Sequence, residues 1–397
     1  MDGYASIFGA PAIDRIREAA RSLEGASILH LSMTTTGTHH ARMLAAAVPL
    51  LSGLGLDVRW QAPTSLDGDL TWSDALHKAI EGELRWQPRF ADAWRRYSQR
   101  HAAMVDGSFD FVTVHDPQLL MLRAQTPRSS EHARWLWHCH FDLRDCDESV
   151  AELMTNELAD FDLVAIEHPT FAGSIGMPAQ IVIPPVIDPL SGRNSQLPPR
   201  VIDSVLRRFE LKPESPLIVE VSPFDGWDDP QWAIYEYQAA SKVLQNLQLV
   251  LVATSTSTDE PFSQLNGARH NGNIRFLTSR EAGDLEINAL QGAAVLAMQN
   301  AVRKGFSTSL LEASWKGRPV LASEGGAMSH QVLHGTTGFV FATFDEAAER
   351  IVQLVNDRNL SDALGFNGHR MVRDDHLVVS WVESYLRLLA SAQPTVA

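Results

Sequence analysis

The sequence predicts an α/β protein made of two doubly wound parallel sheets, on three observations. Short β-like runs alternate with amphipathic helical stretches from one end to the other, the pattern of βαβ units. A segment rich in Pro, Ser and Asn and lacking periodicity, Asp188 to Arg200 (DPLSGRNSQLPPR), divides that alternation into two halves of similar size and reads as a linker or hinge. The 397 residues are enough for two domains.

In the first half the strands fall at Ala26–Leu31, Leu56–Trp60, Phe109–Val114, Ala133–His138, Leu163–Ile166 and Gln180–Ile183. Helices fall between them at Pro11–Leu23, His39–Ser52, Phe90–Met104 and Glu148–Leu158. Pro11 suits a helix start, where its missing N–H would have had no partner. Ile13, Ile16 and Ala20 repeat at the spacing of one helix face. After the linker, strands are expected at Leu217–Val221, Leu247–Val252, Asn273–Leu277, Ala294–Ala297, Pro319–Ala322 and Phe339–Phe341. Helices are expected at Pro230–Asn246, Asp284–Gln291, Ser307–Lys316, Asp345–Asn356, Leu360–Arg373 and Val379–Ala392. In open parallel sheets a ligand sits beyond the carboxyl ends of the strands, so two such domains are expected to bind one in the cleft between them.

Composition excludes several classes. The formal net charge of -15 argues against a general nucleic-acid binder, which needs cationic surface, and against a protein held on anionic lipid. No apolar run is long enough to span a membrane. The N-terminus lacks the basic start of a secretory signal, so a cytoplasmic protein is expected. Two cysteines, Cys139 and Cys146, cannot form a disulfide framework or a Cys-rich zinc site. Only five of the 33 basic residues are lysines, which makes each one informative.

Three stretches can carry chemistry. Leu31 to Leu44 (LSMTTTGTHHARML) is a strand, a small-residue turn and a helix, an arrangement that presents N–H groups to an anion. On pattern alone the favoured reading is an ordinary helix capped by Thr36 or Thr38. His39 and His40 are adjacent and do not share a helix face, which disfavours a metal pair there. Trp135 to Leu143 (WLWHCHFDL) places His138 and His140 on one face of a strand and Cys139 on the other. Sequence spacing supplies no third or fourth ligand to that pair, so no metal is expected. Gly305 to Gly326 runs loop, helix, turn, strand and Gly-Gly loop. There Lys304 and Glu312 are either solvated charges or two groups reaching one ligand. No hydrolase elbow, zincin, kinase or Walker A motif occurs.

The order VHDPQ, W-x-C-H-x-D-L, IPPVIDPLS, FDxW, EASWKGRPV and GG…GxTGF, covering about residues 25–390, resembles the trehalose-synthesising glycosyltransferases of glycosyltransferase family four. These are retaining enzymes that join a nucleotide-activated glucose to free glucose. The resemblance implies the GT-B fold, two facing Rossmann-like domains with a last helix crossing back. It implies an acceptor-side domain of residues 1–190 completed by 378–397, and a nucleotide-sugar-binding domain of residues 200–377. It implies a small-molecule donor and acceptor, a nucleoside diphosphate product, no further cofactor, no metal, and an enzyme that relatives suggest can form a homodimer.

Residue by residue, the resemblance places His140 on the transferred sugar and Asp116 on the acceptor side. It places the loop residues Gly37, Thr38 and His39, with Arg42, near the donor. Glu312 would hold the nucleotide ribose, and Ser222, Gly305, Phe306, Ser307 and Thr308 lie in the donor-binding motifs. The chain departs from the family where an Arg and a Lys neutralise the diphosphate: Pro223 and Asp228 stand there instead. Lys304 replaces the first of two paired glutamates. A leaving diphosphate needs donors where negative charge grows. The expectation is that Lys304, Arg303 and Arg42 take over that work, with Lys304 counted among the catalytic groups alongside His140 and Asp116.

Three functions follow from these departures. The first expected is a glycosyltransferase with a changed acceptor, thiols included, in specialised, antibiotic-type metabolism. The others are a trehalose synthase with relocated phosphate contacts, and a degenerate nucleotide- or sugar-binding protein.

Overall fold

A computed structural model describes residues 2–63, 70–126, 132–224, 230–254, 262, 272–300 and 305–392. It divides into two units, Met1–Asp188 with Val378–Ala397, and Pro189–Leu377. Each unit holds one six-stranded parallel sheet.

The first sheet contains β1 (Ser27–Leu31), β2 (Asp57–Gln61), β3 (Phe111–Val114), β4 (Arg134–Cys139), β5 (Leu163–Ile166) and β6 (Ala179–Val182). Their order is β2-β1-β3-β4-β5-β6. The chain winds outward from β1 to β2 and then returns to the other side of β1, so the winding reverses between β1 and β3. Around the sheet lie α1 (Asp2–Phe8), α2 (Ala10–Arg21), α3 (His39–Gly53), α4 (Thr71–Ile80), α5 (Pro88–His101), α6 (Leu122–Gln125) and α7 (Glu148–Leu158). One face packs on Trp72, Trp94, Tyr97, Trp135 and Trp137.

The second unit contains α8 (Pro199–Arg208), β7 (Leu217–Ser222), α9 (Pro230–Ser241), β8 (Gln248–Ala253), β9 (Ile274–Thr278), α10 (Asp284–Ala293), β10 (Leu296–Gln299), α11 (Thr308–Trp315), β11 (Val320–Ser323), α12 (Met328–Gln331), β12 (Gly338–Phe341), α13 (Phe344–Asn356) and α14 (Arg358–Asp375). The strand order β12-β11-β10-β7-β8-β9 places its reversal between β7 and β10. β7 and β8 are buried along their whole length, as expected of parallel strands covered by helices on both faces.

The last helix, α15 (Val378–Ala392), belongs to the first unit. The Val378 N–H donates to the Ile187 carbonyl, and the helix packs on α2 and α3. It buries Trp381, Val382, Tyr385, Leu386 and Leu389, and each such side chain contributes about 1.5–3 kcal/mol on leaving water. No described helix is long and apolar enough to cross a membrane.

All twelve expected strands form, with ends shifted by at most two residues. Helices α1, α4, α6, α8 and α12 were not expected. The supposed linker also needs correction. Its Arg193 and Asn194 are buried, and α8 begins inside it. Trp315 Nε1 donates to the Asn194 carbonyl, and the Asn288 side chain donates to the carbonyls of Gly192 and Ser195. Its polarity serves hydrogen bonds to α10 and α11, because buried backbone carbonyls need donors.

Candidate active site

In the first unit, six of the fifteen histidines gather at the carboxyl edge of the sheet, around the β1–β3 reversal. His30 is the penultimate residue of β1, His115 follows β3, and His138 and His140 lie at the end of β4. Strand alternation sends His138 and His140 to one face, with ring centroids 4.2 Å apart. Thr38 caps α3 by accepting from the Ala41 N–H, after a turn at Gly37 with φ of 85°. The cap sets His39 and His40 in the first turn of α3.

These groups form a continuous array. His30 Nδ1 lies 3.0 Å from His115 Nε2. His115 Nδ1 lies 3.1 Å from His140 Nε2, and His140 Nδ1 lies 2.9 Å from Glu167 Oε1. His39 Nε2 is 3.4 Å from the same carboxyl oxygen. His40 Nε2 lies 3.1 Å from Asp116 Oδ2, which also accepts from the Met33 N–H at 2.7 Å. From beneath, Trp381 stacks on His138 and Tyr385 lies against His30. The Tyr385 hydroxyl pairs with that of Thr113 at 2.7 Å.

The two carboxyls of this pocket are driven apart. Burial pushes Glu167 up to about 8. Burial also acts upward on Asp116, but the His40 ring and the Met33 amide more than reverse it and hold Asp116 below the ordinary carboxylate value. Burial lowers His30 and His138 to about 3, and keeps His39, His115 and His140 well below the usual imidazole value. A carboxyl that stays protonated beside one that stays ionised is the arrangement in which acid and base roles separate.

In the second unit the β7–β10 reversal is bridged by side chains. Gln299 Nε2 donates to Ser222 Oγ at 2.8 Å, and Ser307 Oγ donates to Gln299 Oε1 at 2.9 Å. Ser307 caps α11, and its backbone exchanges two hydrogen bonds with the Gln331 side chain. Glu312, one turn into α11, is buried and lies 3.4 Å from Arg193 Nε. The Lys316 ammonium donates to Asn194 Oδ1, Gln291 Oε1 and the Glu312 carbonyl. Burial pulls Lys316 down to about 7.

The structure thus groups His140, Asp116 and His39 in one pocket of the first unit, with Thr38 as the α3 cap. The Arg42 guanidinium turns back to the Gly37 carbonyl. Ser222 and Ser307 share one network, half-buried Gly305 and Phe306 lead into it, and Thr308 opens α11. Lys304, Arg303 and Asp228 lie outside the described residues.

The separation expected of His39 and His40 holds: adjacent positions diverge around the helix, and each finds its own carboxylate, Glu167 for His39 and Asp116 for His40. Sequence reasoning missed His30, His115 and Glu167. The signal was present, because each is a polar residue at or just past the carboxyl end of a mostly apolar strand. The missing third partner of His138 and His140 is His115. One nitrogen from each of these three lies within 4.8 Å of the others, a grouping able to hold a metal ion. His39, His140 and Glu167 form a second such grouping.

Comparison with known proteins agrees with this architecture. Residues 30–173 match the family described as trehalose synthase, N-terminal domain, and residues 216–357 match glycosyl transferases group 1. The chain is 32% identical to trehalose synthase of Rubrobacter xylanophilus, over 98% of this chain and 95% of the relative. It is 29% identical to trehalose synthase of Pyrococcus horikoshii, over 98% and 96%. Among solved structures, trehalose-6-phosphate from E. coli bound with UDP-2-fluoro glucose superposes with a TM-score of 0.75 at 12% identity, over 92% of this chain and 99% of that one. The fold is therefore GT-B.

Proposed function

Because the chain belongs to the trehalose synthase family and is a glycosyltransferase, we propose that it transfers glucose from a nucleoside diphosphate glucose to free glucose, forming trehalose. The observation that carries this reading is the array of His140, Glu167, His40 and Asp116 at the β1–β3 reversal. A sugar acceptor presents several hydroxyls, each of which both donates and accepts hydrogen bonds. A neutral His140 imidazole and two carboxyls of opposite protonation preference match that need. The end-to-end similarity to trehalose synthases favours glucose over a changed acceptor.

In this mechanism Asp116, held ionised, accepts from an acceptor hydroxyl, and His140 contacts the transferred sugar. Glu312 takes the ribose hydroxyls, a role for which its buried carboxyl is already oriented by Arg193. Lys304 and Arg303 neutralise the leaving diphosphate, and the Ser307-capped start of α11 adds N–H groups. The acceptor attacks on the face from which the diphosphate departs, so configuration is retained.

The testing experiment begins with thermal denaturation in the presence of UDP, GDP, ADP or TDP. A bound nucleotide raises the melting temperature by mass action and identifies the donor base. The matching nucleoside diphosphate glucose is then incubated with labelled glucose, and trehalose is the expected product. Lys304, in place of a family glutamate where donor sugar and acceptor meet, and the altered glycine loop at Gly37 favour one second reading, a changed acceptor. Transfer to a thiol or an aglycone with no trehalose formed supports that reading and overturns the first.

A further inference from the structure

We propose that Lys316 is a positioning residue of the donor site: it grips Asn194, and the grip holds Arg193 against Glu312, the carboxyl that takes the nucleotide ribose. Lys316 has this role only if Glu312 has its own, as in the function proposed for the chain.

The segment 191–195 contains no helix or strand, so its path is set by the donors that reach its carbonyls. Asn288 on α10 donates to the Gly192 and Ser195 carbonyls at 2.9 and 2.8 Å. The end of α11 takes hold of Asn194 twice. Trp315 Nε1 donates to its backbone carbonyl at 3.1 Å, and Lys316 Nζ to its side-chain Oδ1 at 3.2 Å. Lys316 Nζ also donates to Gln291 Oε1 and to the Glu312 carbonyl, both at 3.0 Å. The three N–H groups of the ammonium thus meet three acceptors.

Arg193 stands between these anchors. It is buried, and its Nε lies 3.4 Å from Glu312 Oε2 and 3.6 Å from Asp284 Oδ1. Neither Arg193 Nε nor Glu312 Oε2 makes a hydrogen bond among the described residues. The contact is therefore set by where the backbone at Arg193 is held, and not by a tight bond of its own. Were the segment released, the Glu312 carboxyl would lose its buried counter-charge and its fixed direction.

The grip also depends on charge. Burial pulls Lys316 down to about 7, with the Glu312 carboxyl opposing and the Arg193 guanidinium adding to the shift. On α14, His369 hydrogen-bonds the Trp315 carbonyl and stacks on its ring. Above about pH 7 the neutral amine keeps two N–H groups for three acceptors, and the hold on Asn194 loosens.

The test is calorimetric titration of the full chain with paired nucleotides: UDP with dUDP, GDP with dGDP and ADP with dADP. A carboxylate on both ribose hydroxyls favours the ribonucleotide by roughly tenfold or more. Both members of a pair carry the same diphosphate, so their affinity ratio cancels contacts and titrations outside the ribose. The wild type is expected to prefer the ribonucleotide, most strongly near pH 6 and less as pH rises through about 7. Glu312→Gln is expected to lose the preference. Lys316→Met is expected to lose most of it at every pH while keeping its affinity for the deoxynucleotide. A lysine that served stability alone would affect both members of a pair equally. Arg193→Met is expected to lose the preference too, and the double variant to be no worse than Arg193→Met, as for groups acting in series. The wild-type pH profile needs no variant and decides the matter should Lys316→Met fail to fold. A preference retained in folded Lys316→Met, or independent of pH in the wild type, overturns the proposal and leaves the ribose role of Glu312 standing. No preference in the wild type removes that role, and the proposal with it.

Discussion

Glu167 Oε1 lies 2.9 Å from His140 Nδ1, and burial pushes that carboxyl up to about 8. The protonation state of Glu167 therefore decides which nitrogen of His140 carries the proton. The activity profile of the wild type is expected to show an inflection near pH 8. Glu167→Gln, which stays uncharged throughout, should remove that inflection while the chain remains folded. Glu167→Ala should lower kcat by up to about tenfold, the scale of a lost neutral hydrogen bond. Steady-state rates from pH 6 to 9 on the three proteins check this, and an inflection persisting in Glu167→Gln refutes it.

Trp381 is buried against His138 and Tyr385 although it belongs to the last helix. Trp381→Ala should cost about 3–5 kcal/mol through lost burial and the cavity left behind. It should also impair the sugar site at a distance from any ligand. Urea denaturation followed by circular dichroism gives the first effect. Kinetics of the fraction that remains folded gives the second.

Glu236 is buried in α9, and its Oε2 accepts from Asn300 Nδ2 at 3.0 Å. Burial raises it from near 4.5 to about 8, with the Asn300 bond opposing. Between those values the folded chain holds a proton that the unfolded chain has released. Stability is then lost as pH rises from about 4.5 to 8, by up to a few kcal/mol. Glu236→Gln should flatten this slope. Denaturant midpoints at pH 5, 6.5 and 8 decide the matter, and an equally steep decline in the variant counts against it.

A Cβ on Gly365 would strike the Gly317 carbonyl oxygen, which lies at the turn after α11. The contact is with backbone and has no flexible end to yield. Gly365→Ala should therefore destabilise the second unit by about 1–3 kcal/mol, as overpacking does. A midpoint shift in guanidinium denaturation measures it.

Lys304 stands where the resembled family carries a glutamate. If it neutralises the diphosphate, Lys304→Ala should weaken nucleoside diphosphate binding at least tenfold, the usual scale of a charge-assisted contact. Calorimetric titration with the nucleotide that stabilises the wild type is the measurement. Unchanged affinity removes Lys304 from the donor site.

Much of the scaffold was legible from local pattern. Every strand showed as an apolar run, and Leu163–Ile166 and Glu148–Leu158 matched the observed β5 and α7 at both ends. The helices missed had local reasons. α8 begins at Pro199 within a Pro-rich stretch that reads as linker, and α12 and α6 are single turns. Of the candidate site, His140 and Asp116 were legible because each closes a strand in a recognisable motif. His39 and His40 were legible as neighbours that do not pair, but the carboxylate each one meets was not.

The sequence by itself determined the two-sheet α/β architecture, the return of the last helix through its family resemblance, and the positions where strands end in polar residues. Those properties rest on short-range periodicity and ordered motifs, which a linear string carries. Only the tertiary structure decided which strand ends meet. Parallel pairing sets β1, β3, β4 and β5 side by side, so His30, His115, His140 and Glu167 join across segments far apart in the chain. It also decided that Trp381 and Tyr385 close that group from below, and that the polar linker is fastened to α10 and α11. Register and burial arise from many distant contacts at once, so no spacing along the sequence encodes them.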